Sequence, residues 1–236
     1  MVVRHHQIDF ASGALVFPGG KVDPSDSDPK LVDRCTGETE PEFLPFEIAA
    51  IREAFEECGV FLARDAASGE MISGERLNTF DTYRDALNAD EMTLLEILEK
   101  EDLLLACGDI HRFAHWITPE MMPKRFDTHF FVAEAPPDHL AAHDGSESVD
   151  SVWISPRKVL EEAESGKWTV IFPTRCNLQM MAQSNSMKEL MDTARARNIV
   201  SVLPRIEQRN GDPFLCIPTE AGYPVSEEKI DPSRMA

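Results

Sequence analysis

Ile48-Ala-Ala-Ile-Arg-Glu-Ala-Phe-Glu-Glu-Cys-Gly59 is the stretch from which the rest of this 236-residue chain can be read. Pro45 stands just before it, at a first-turn position where a missing N–H costs nothing, and Gly59 is a natural terminator; a helix is expected from Phe46 to about Cys58. At 100° per residue, Glu56 lies about 60° to one side of Glu53 and Glu57 about 40° to the other, so three carboxylates share one narrow stripe. Ile48, Ile51 and Phe55 lie opposite, which predicts that their face packs down while the acidic stripe looks outward. Carboxylates this close repel one another by at least as much as ordinary helix pairs attract. A hard divalent cation with oxygen ligands would offset that repulsion. Acidic runs on helices are usually plain solvated faces. Arg52, able to pin a carboxylate, and a Pro-Gly-Gly turn upstream set this run apart.

Upstream, Gly13-Ala-Leu-Val-Phe17 is a short apolar run stopped by Pro18-Gly19-Gly20, which reads as a buried strand entering a tight loop. Residues 23–45, rich in Asp, Glu, Pro, Ser and Thr, read as an exposed loop. Downstream, residues 75–105 have helical character and suggest a helical hairpin. Strand-like runs follow at 115–118, 129–133 and 149–154. Ser155-Pro156 caps a helix running to about Glu164, and a further helix is expected over 176–197. Strands and helices in this irregular order indicate an α/β or α+β fold, organised as a single domain over 1–236. The stretch beyond about Pro204 carries no functional signal.

Arg52-Glu53-Ala54-Phe55-Glu56-Glu57-Cys58-Gly59-Val60 resembles the second half of the Nudix box, Arg-Glu-x-x-Glu-Glu-x-Gly followed by an aliphatic residue. Phe17-Pro18-Gly19-Gly20-Lys21 is similar to the strand-to-loop entry that opens it. Such a match arises by chance about once in 10⁴–10⁵ sequences of this length. The usual box places its arginine fourteen residues after the opening glycine, whereas Gly20 and Arg52 are 32 apart, so 18 residues are inserted within 23–45. The box's first glutamate, expected eight residues before the arginine, is replaced by Leu44; either Glu42 or Glu47 compensates, or the role is absent. An interrupted box of this kind is similar to the branch that includes peroxisomal coenzyme A diphosphatases. Arg125-Phe-Asp-Thr-His-Phe-Phe131 and Trp153-Ile-Ser-Pro156 resemble that branch as well.

The resemblance implies a Nudix fold, a mixed sheet sandwiched between helices, with a helical insertion at about 75–105. A strand normally precedes the one ending at Phe17, and Met1-Val-Val-Arg4 would be the tail of it; the sequence then reads as starting inside a longer chain, the rival reading being a sheet with a reduced edge. The resemblance also implies hydrolysis of a phosphoanhydride in a nucleoside-diphosphate-linked metabolite, coenzyme A or acyl-coenzyme A being favoured. Glu53, Glu56, Glu57 and the carbonyl of Gly20 would hold Mg²⁺ or Mn²⁺, with Glu53, or a carboxylate brought from a loop, as general base. Arg52 would fix Glu53 in place rather than touch substrate. Glu147, before a strand, resembles a distal glutamate that serves as extra ligand or base, and is equally readable as a solvated loop acid. Arg125 and Lys21 are candidates for gripping a substrate phosphate, Arg125 alternatively being a structural partner of Asp127. The spacings of His111, His115, His129, His139 and His143 match no compact metal site, and they read as core or surface histidines.

A net charge of −19 gives no electrostatic support for binding nucleic acid or an anionic membrane, and a polyanionic substrate would need metals or a few placed cations. The five scattered cysteines form no CxxC pair and read as free thiols of a reducing cytoplasm. No apolar run is long enough to span a bilayer. A homodimer paired through edges is the oligomer the resemblance implies. Two other readings stay open: a non-catalytic Nudix module that binds a metabolite as sensor or scaffold, and an acidic α/β interaction protein.

Overall fold

The computed structural model describes residues 1–4, 13–122, 124–139 and 148–230. In chain order the elements are β1 (Val2–Arg4), β2 (Leu15–Val16), α1 (Pro29–Val32), α2 (Leu44–Cys58), β3 (Ala63–Asp65), α3 (Gly74–Leu77), α4 (Asp81–Asn88), α5 (Leu94–Glu101), β4 (Leu103–Leu105), β5 (Ile110–Ile117), β6 (Asp127–Ala133), β7 (Ser148–Ser151), α6 (Pro156–Glu164), α7 (Phe172–Met181), α8 (Met187–Ala196), β8 (Ser201–Val202), β9 (Arg205–Arg209), β10 (Asp212–Cys216) and β11 (Glu227–Lys229).

Strand β5 organises the centre. It pairs antiparallel with β6 along its whole length and parallel with β8, giving a mixed sheet. Alternation along β6 splits its side chains between two cores. Phe131 and Ala133 pack into the cluster built on Ile48, Ile51 and Phe55 of α2, whereas Phe130 and Val132 join Cys176 of α7 and Leu190 of α8. Helices therefore cover both faces, as the resemblance implied. A second sheet, β2-β1-β7, runs antiparallel throughout; Phe17, at its exit, meets Phe130 edge-on, with ring centroids 6.1 Å apart. Val2 and Val3 of β1 are buried between β2 and β7.

Helix α2 ends as its sequence predicts. Gly59 adopts the left-handed conformation, its N–H bonding the Phe55 carbonyl while that of Val60 reaches Ala54. Phe55 and Phe61 stack at 4.5 Å across this turn, both fully buried.

Several expectations are corrected. Leu103–Leu105 is a strand paired antiparallel with Ala63–Asp65, not the end of a helical hairpin. Its continuous apolar run suits a strand buried on both faces, which periodicity cannot distinguish from a buried helix. The helix expected over 176–197 is two helices, α7 and α8, broken where Ser186 caps α8 by accepting from the Glu189 N–H. Residues 23–45 are not simply an exposed loop. They contain a 3₁₀ turn and α1, and they bury Asp26 and Leu31 almost completely. No described helix is long and apolar enough to cross a membrane.

The chain past Pro204 is tied into the centre: the Trp116 indole N–H donates to Tyr223 Oη, which donates in turn to Asn177 Oδ1, each at 2.8 Å. All five cysteines are free thiols, and Cys107 Sγ lies 3.0 Å from Cys35 Sγ.

Candidate active site

The acidic stripe of α2 does not look outward. The loop leaving β2 and the 3₁₀ turn at Pro24–Ser27 fold over it, so that Glu57 is only 6% exposed and Arg52 8%. The backbone N–H of Gly19 donates to Glu57 Oε2 at 2.9 Å. Gly20 lies against the carboxylate of Glu53 so closely that a Cβ there would collide with both of its oxygens. The second glycine of the turn is thus a steric requirement, whereas the first, Gly19, is the one with a positive φ, 146°.

Arg52 sits at the middle of this arrangement. Its Nη1 donates to Glu53 Oε1 at 3.0 Å and to Glu56 Oε2 at 2.9 Å, so two carboxylates already converge on one positive nitrogen. Its Nε and Nη2 both donate to Asp26, and Nη2 also reaches the Lys21 carbonyl at 2.8 Å. Burial by itself would lower the guanidinium pKa; hydrogen bonding to Asp26 and the charges of Asp26, Glu56 and Glu53 outweigh it and raise the value. Arg84 of α4 donates to the Glu56 carbonyl at 2.9 Å and holds the C-terminal turn of α2 from outside. Three carboxylates, Asp26, Glu53 and Glu56, meet the guanidinium of Arg52, and Glu57 is held beside them by the Gly19 N–H. Such a donor set is hard and oxygen-rich, and it fits a Mg²⁺-like cation far better than a soft one.

The model of the NUDT19 Nudix domain matches residues 32–181. The chain belongs to this Nudix family. Among its relatives, a "Putative nudix hydrolase 7" of Caenorhabditis elegans is 27% identical over 183 residues, covering 78% of this chain and 55% of the relative. The human "Acyl-coenzyme A diphosphatase NUDT19" is 31% identical over 225 residues, covering 77% of this chain and 59% of the relative. The chain thus spans less than two-thirds of the length of these curated relatives. Among solved structures, the Nudix hydrolase from Alicyclobacillus acidocaldarius matches with a TM-score of 0.65 and 26% identity, covering 84% of this chain and 88% of that one.

In this Nudix domain the residues singled out from the sequence fall into two groups. Gly20, Arg52, Glu53, Glu56 and Glu57 come together, as does the backbone of Lys21, whose side chain is exposed. Arg125 stands in the β5–β6 connection, where its Nε donates to the Thr118 carbonyl at 3.1 Å. Asp127, its expected partner, contacts His115 instead. Glu147 and His143 lie outside the described residues.

One residue of this cluster escaped the sequence reading. Asp26 is the buried partner of Arg52, whereas Glu42 is exposed and Glu47 is buried under the opposing influence of Arg112 and Glu40. The signal was present: Asp26 is six residues after Gly20, the position of the box's first glutamate when counted forward from the glycine. Counting backward from Arg52 crosses the insertion and lands on Leu44. The histidines need a second correction. His111 accepts from Arg195 and His139 contacts the Ile72 carbonyl, as surface and core histidines would, but His115 and His129 stack face to face at 4.1 Å. The antiparallel register of β5 and β6 brings them together, and spacing along the chain hides it.

Proposed function

We propose that this Nudix domain hydrolyses the diphosphate of coenzyme A or an acyl-coenzyme A, using Mg²⁺ or Mn²⁺ held by Glu53, Glu56, Glu57 and the Gly20 carbonyl. The observation that carries the reading is the convergence of Glu53 and Glu56 on a single cationic nitrogen beneath the Gly19–Gly20 loop, with Glu57 fixed to the same loop. A bound divalent ion would relieve the mutual repulsion of Glu53, Glu56 and Glu57 on one helix stripe. When bound, that ion would neutralise diphosphate charge and acidify a water.

The chain's own residues supply the rest. Glu53 is placed to accept the proton of the attacking water, its carboxylate oriented by Arg52 and confined by Gly20. Arg52 is a positioning residue, since its hydrogen bonds go to Asp26, Glu53, Glu56 and the Lys21 carbonyl and it is 8% exposed. Lys21 and Arg125, both exposed, are the cations available to meet phosphates in a chain of net charge −19. The substrate assignment rests on the human relative's name and on the interrupted box.

The test is phosphate release, with phosphatase added, from coenzyme A, acyl-coenzyme A, NADH, ADP-ribose and nucleotide sugars, in Mg²⁺ and then Mn²⁺. Turnover of a coenzyme A substrate that falls by about 10²-fold or more in Glu56→Gln/Glu57→Gln is expected. Turnover confined to another diphosphate would overturn the substrate class. Silence from a folded wild-type protein would overturn the hydrolase reading and favour a binding module.

A further inference from the structure

We propose that His115, Asp127 and His129 form a second cation site, selective for a borderline-soft divalent ion such as Zn²⁺ and separate from the carboxylates of α2. Their ligand atoms all lie within 4.8 Å of one another. The three positions belong to sheet, not to loops. His115 on β5 and His129 on β6 are direct cross-strand partners, and Asp127 is two residues from His129 on the same face. Directly opposed residues on antiparallel strands have Cβ atoms about 4.5–5.5 Å apart, within reach of one shared ion for imidazole side chains. Backbone pairing on both sides fixes where these residues stand, because His115 is also the register partner of Ser201 on β8.

The hydrogen bonds around the site suit coordination. His115 Nε2–H donates to the Asp127 carboxylate and Nδ1 lies 2.7 Å from Ser201 Oγ, so a cation that replaced the Nε2 proton would leave Nδ1–H to donate to the serine hydroxyl. Fixing one ring nitrogen in this way is how metal-binding histidines are usually oriented. His129 Nδ1 is buried without a hydrogen-bond partner among the described residues. Its ring packs on Phe46 at 4.5 Å and Phe43 at 5.6 Å. Lone pairs lie in the ring planes, so coordination requires the two rings to turn edge-on out of their stack. Two imidazoles and one carboxylate select Zn²⁺, Cu²⁺ or Ni²⁺ over Mg²⁺, opposite to the preference of the all-oxygen set on α2.

The experiment is calorimetric titration of Zn²⁺ into the full chain in excess Mg²⁺, which covers the oxygen-rich site. About one Zn²⁺ per chain is expected, with affinity falling at least ~10-fold in His115→Ala and His129→Ala. It should be unchanged in Glu56→Gln/Glu57→Gln. Asp127→Ala, at an exposed strand end, weakens binding without disturbing the core and covers the case in which a histidine variant fails to fold. Co²⁺ substitution supplies an independent readout through its visible spectrum. Zn²⁺ binding that survives loss of the histidines, disappears in the α2 variant, or shows thiolate charge-transfer bands with Co²⁺ would overturn the proposal. This test is independent of the hydrolase reading, since it does not use turnover.

Discussion

Asp26 and Arg52, 26 residues apart in the chain, meet through two hydrogen bonds of 3.0 Å, Arg52 Nε to Oδ1 and Nη2 to Oδ2, with the aspartate fully buried. This bidentate pair locks the arginine whose remaining amino group orients Glu53 and Glu56. The inserted segment separates the two partners in sequence, and the fold brings them back into contact.

Removing one member of a buried pair strands the other's charge. Asp26→Ala is therefore expected to cost about 3–5 kcal/mol in urea unfolding, and Asp26→Asn less, because the amide keeps one acceptor. Turnover should fall with both, since Arg52 would be released to collapse onto the glutamates. Full activity in Asp26→Ala would contradict the positioning role.

Gly20→Ala tests the loop. The added methyl collides with the Glu53 carboxylate and displaces either the loop or the glutamate. Gly20 is exposed, so the fold should survive, as circular dichroism would show, while activity drops about 10–100-fold.

Glu47 has a pH signature. Burial pushes its carboxyl up to about 7 from 4.5, against the pull of Arg112. The folded chain thus binds a proton that the unfolded chain has already lost, and stability falls as pH rises from about 4.5 to 7, by about 3 kcal/mol. His129 acts in the opposite sense. Its folded pKa of about 4 lies below the ordinary 6.5, so its contribution is lost as pH falls through that window. The two slopes oppose each other over 4.5–6.5 in the wild-type protein. Glu47→Gln removes one of them, and its denaturant midpoint should then climb with pH relative to wild type. Parallel curves for the two proteins would refute the assignment.

Tyr223→Phe probes the join between the C-terminal segment and the sheet. It leaves the buried Trp116 N–H and Asn177 Oδ1 without the hydroxyl that links them. A loss of about 1–3 kcal/mol is expected, read as a lower melting temperature at unchanged turnover.

The box helix was legible residue by residue, because its signals are local. Periodicity set its buried face, Pro45 its first turn, and Gly59 its left-handed stop. The strand before the glycine turn and the capped helix after Ser155 were legible for the same reason. Leu103–Leu105 was not, since an all-apolar run has no period to report.

By itself the sequence determined which residues could form an acidic helix stripe and a glycine turn, since both follow from spacing over a dozen residues. Tertiary structure alone decided that the stripe is roofed rather than solvated, that Asp26 and not Glu42 or Glu47 holds Arg52, and that His115 meets His129. Those outcomes depend on how an inserted segment folds back and on the register of one strand pair. Both are set by long-range packing, which no local pattern encodes.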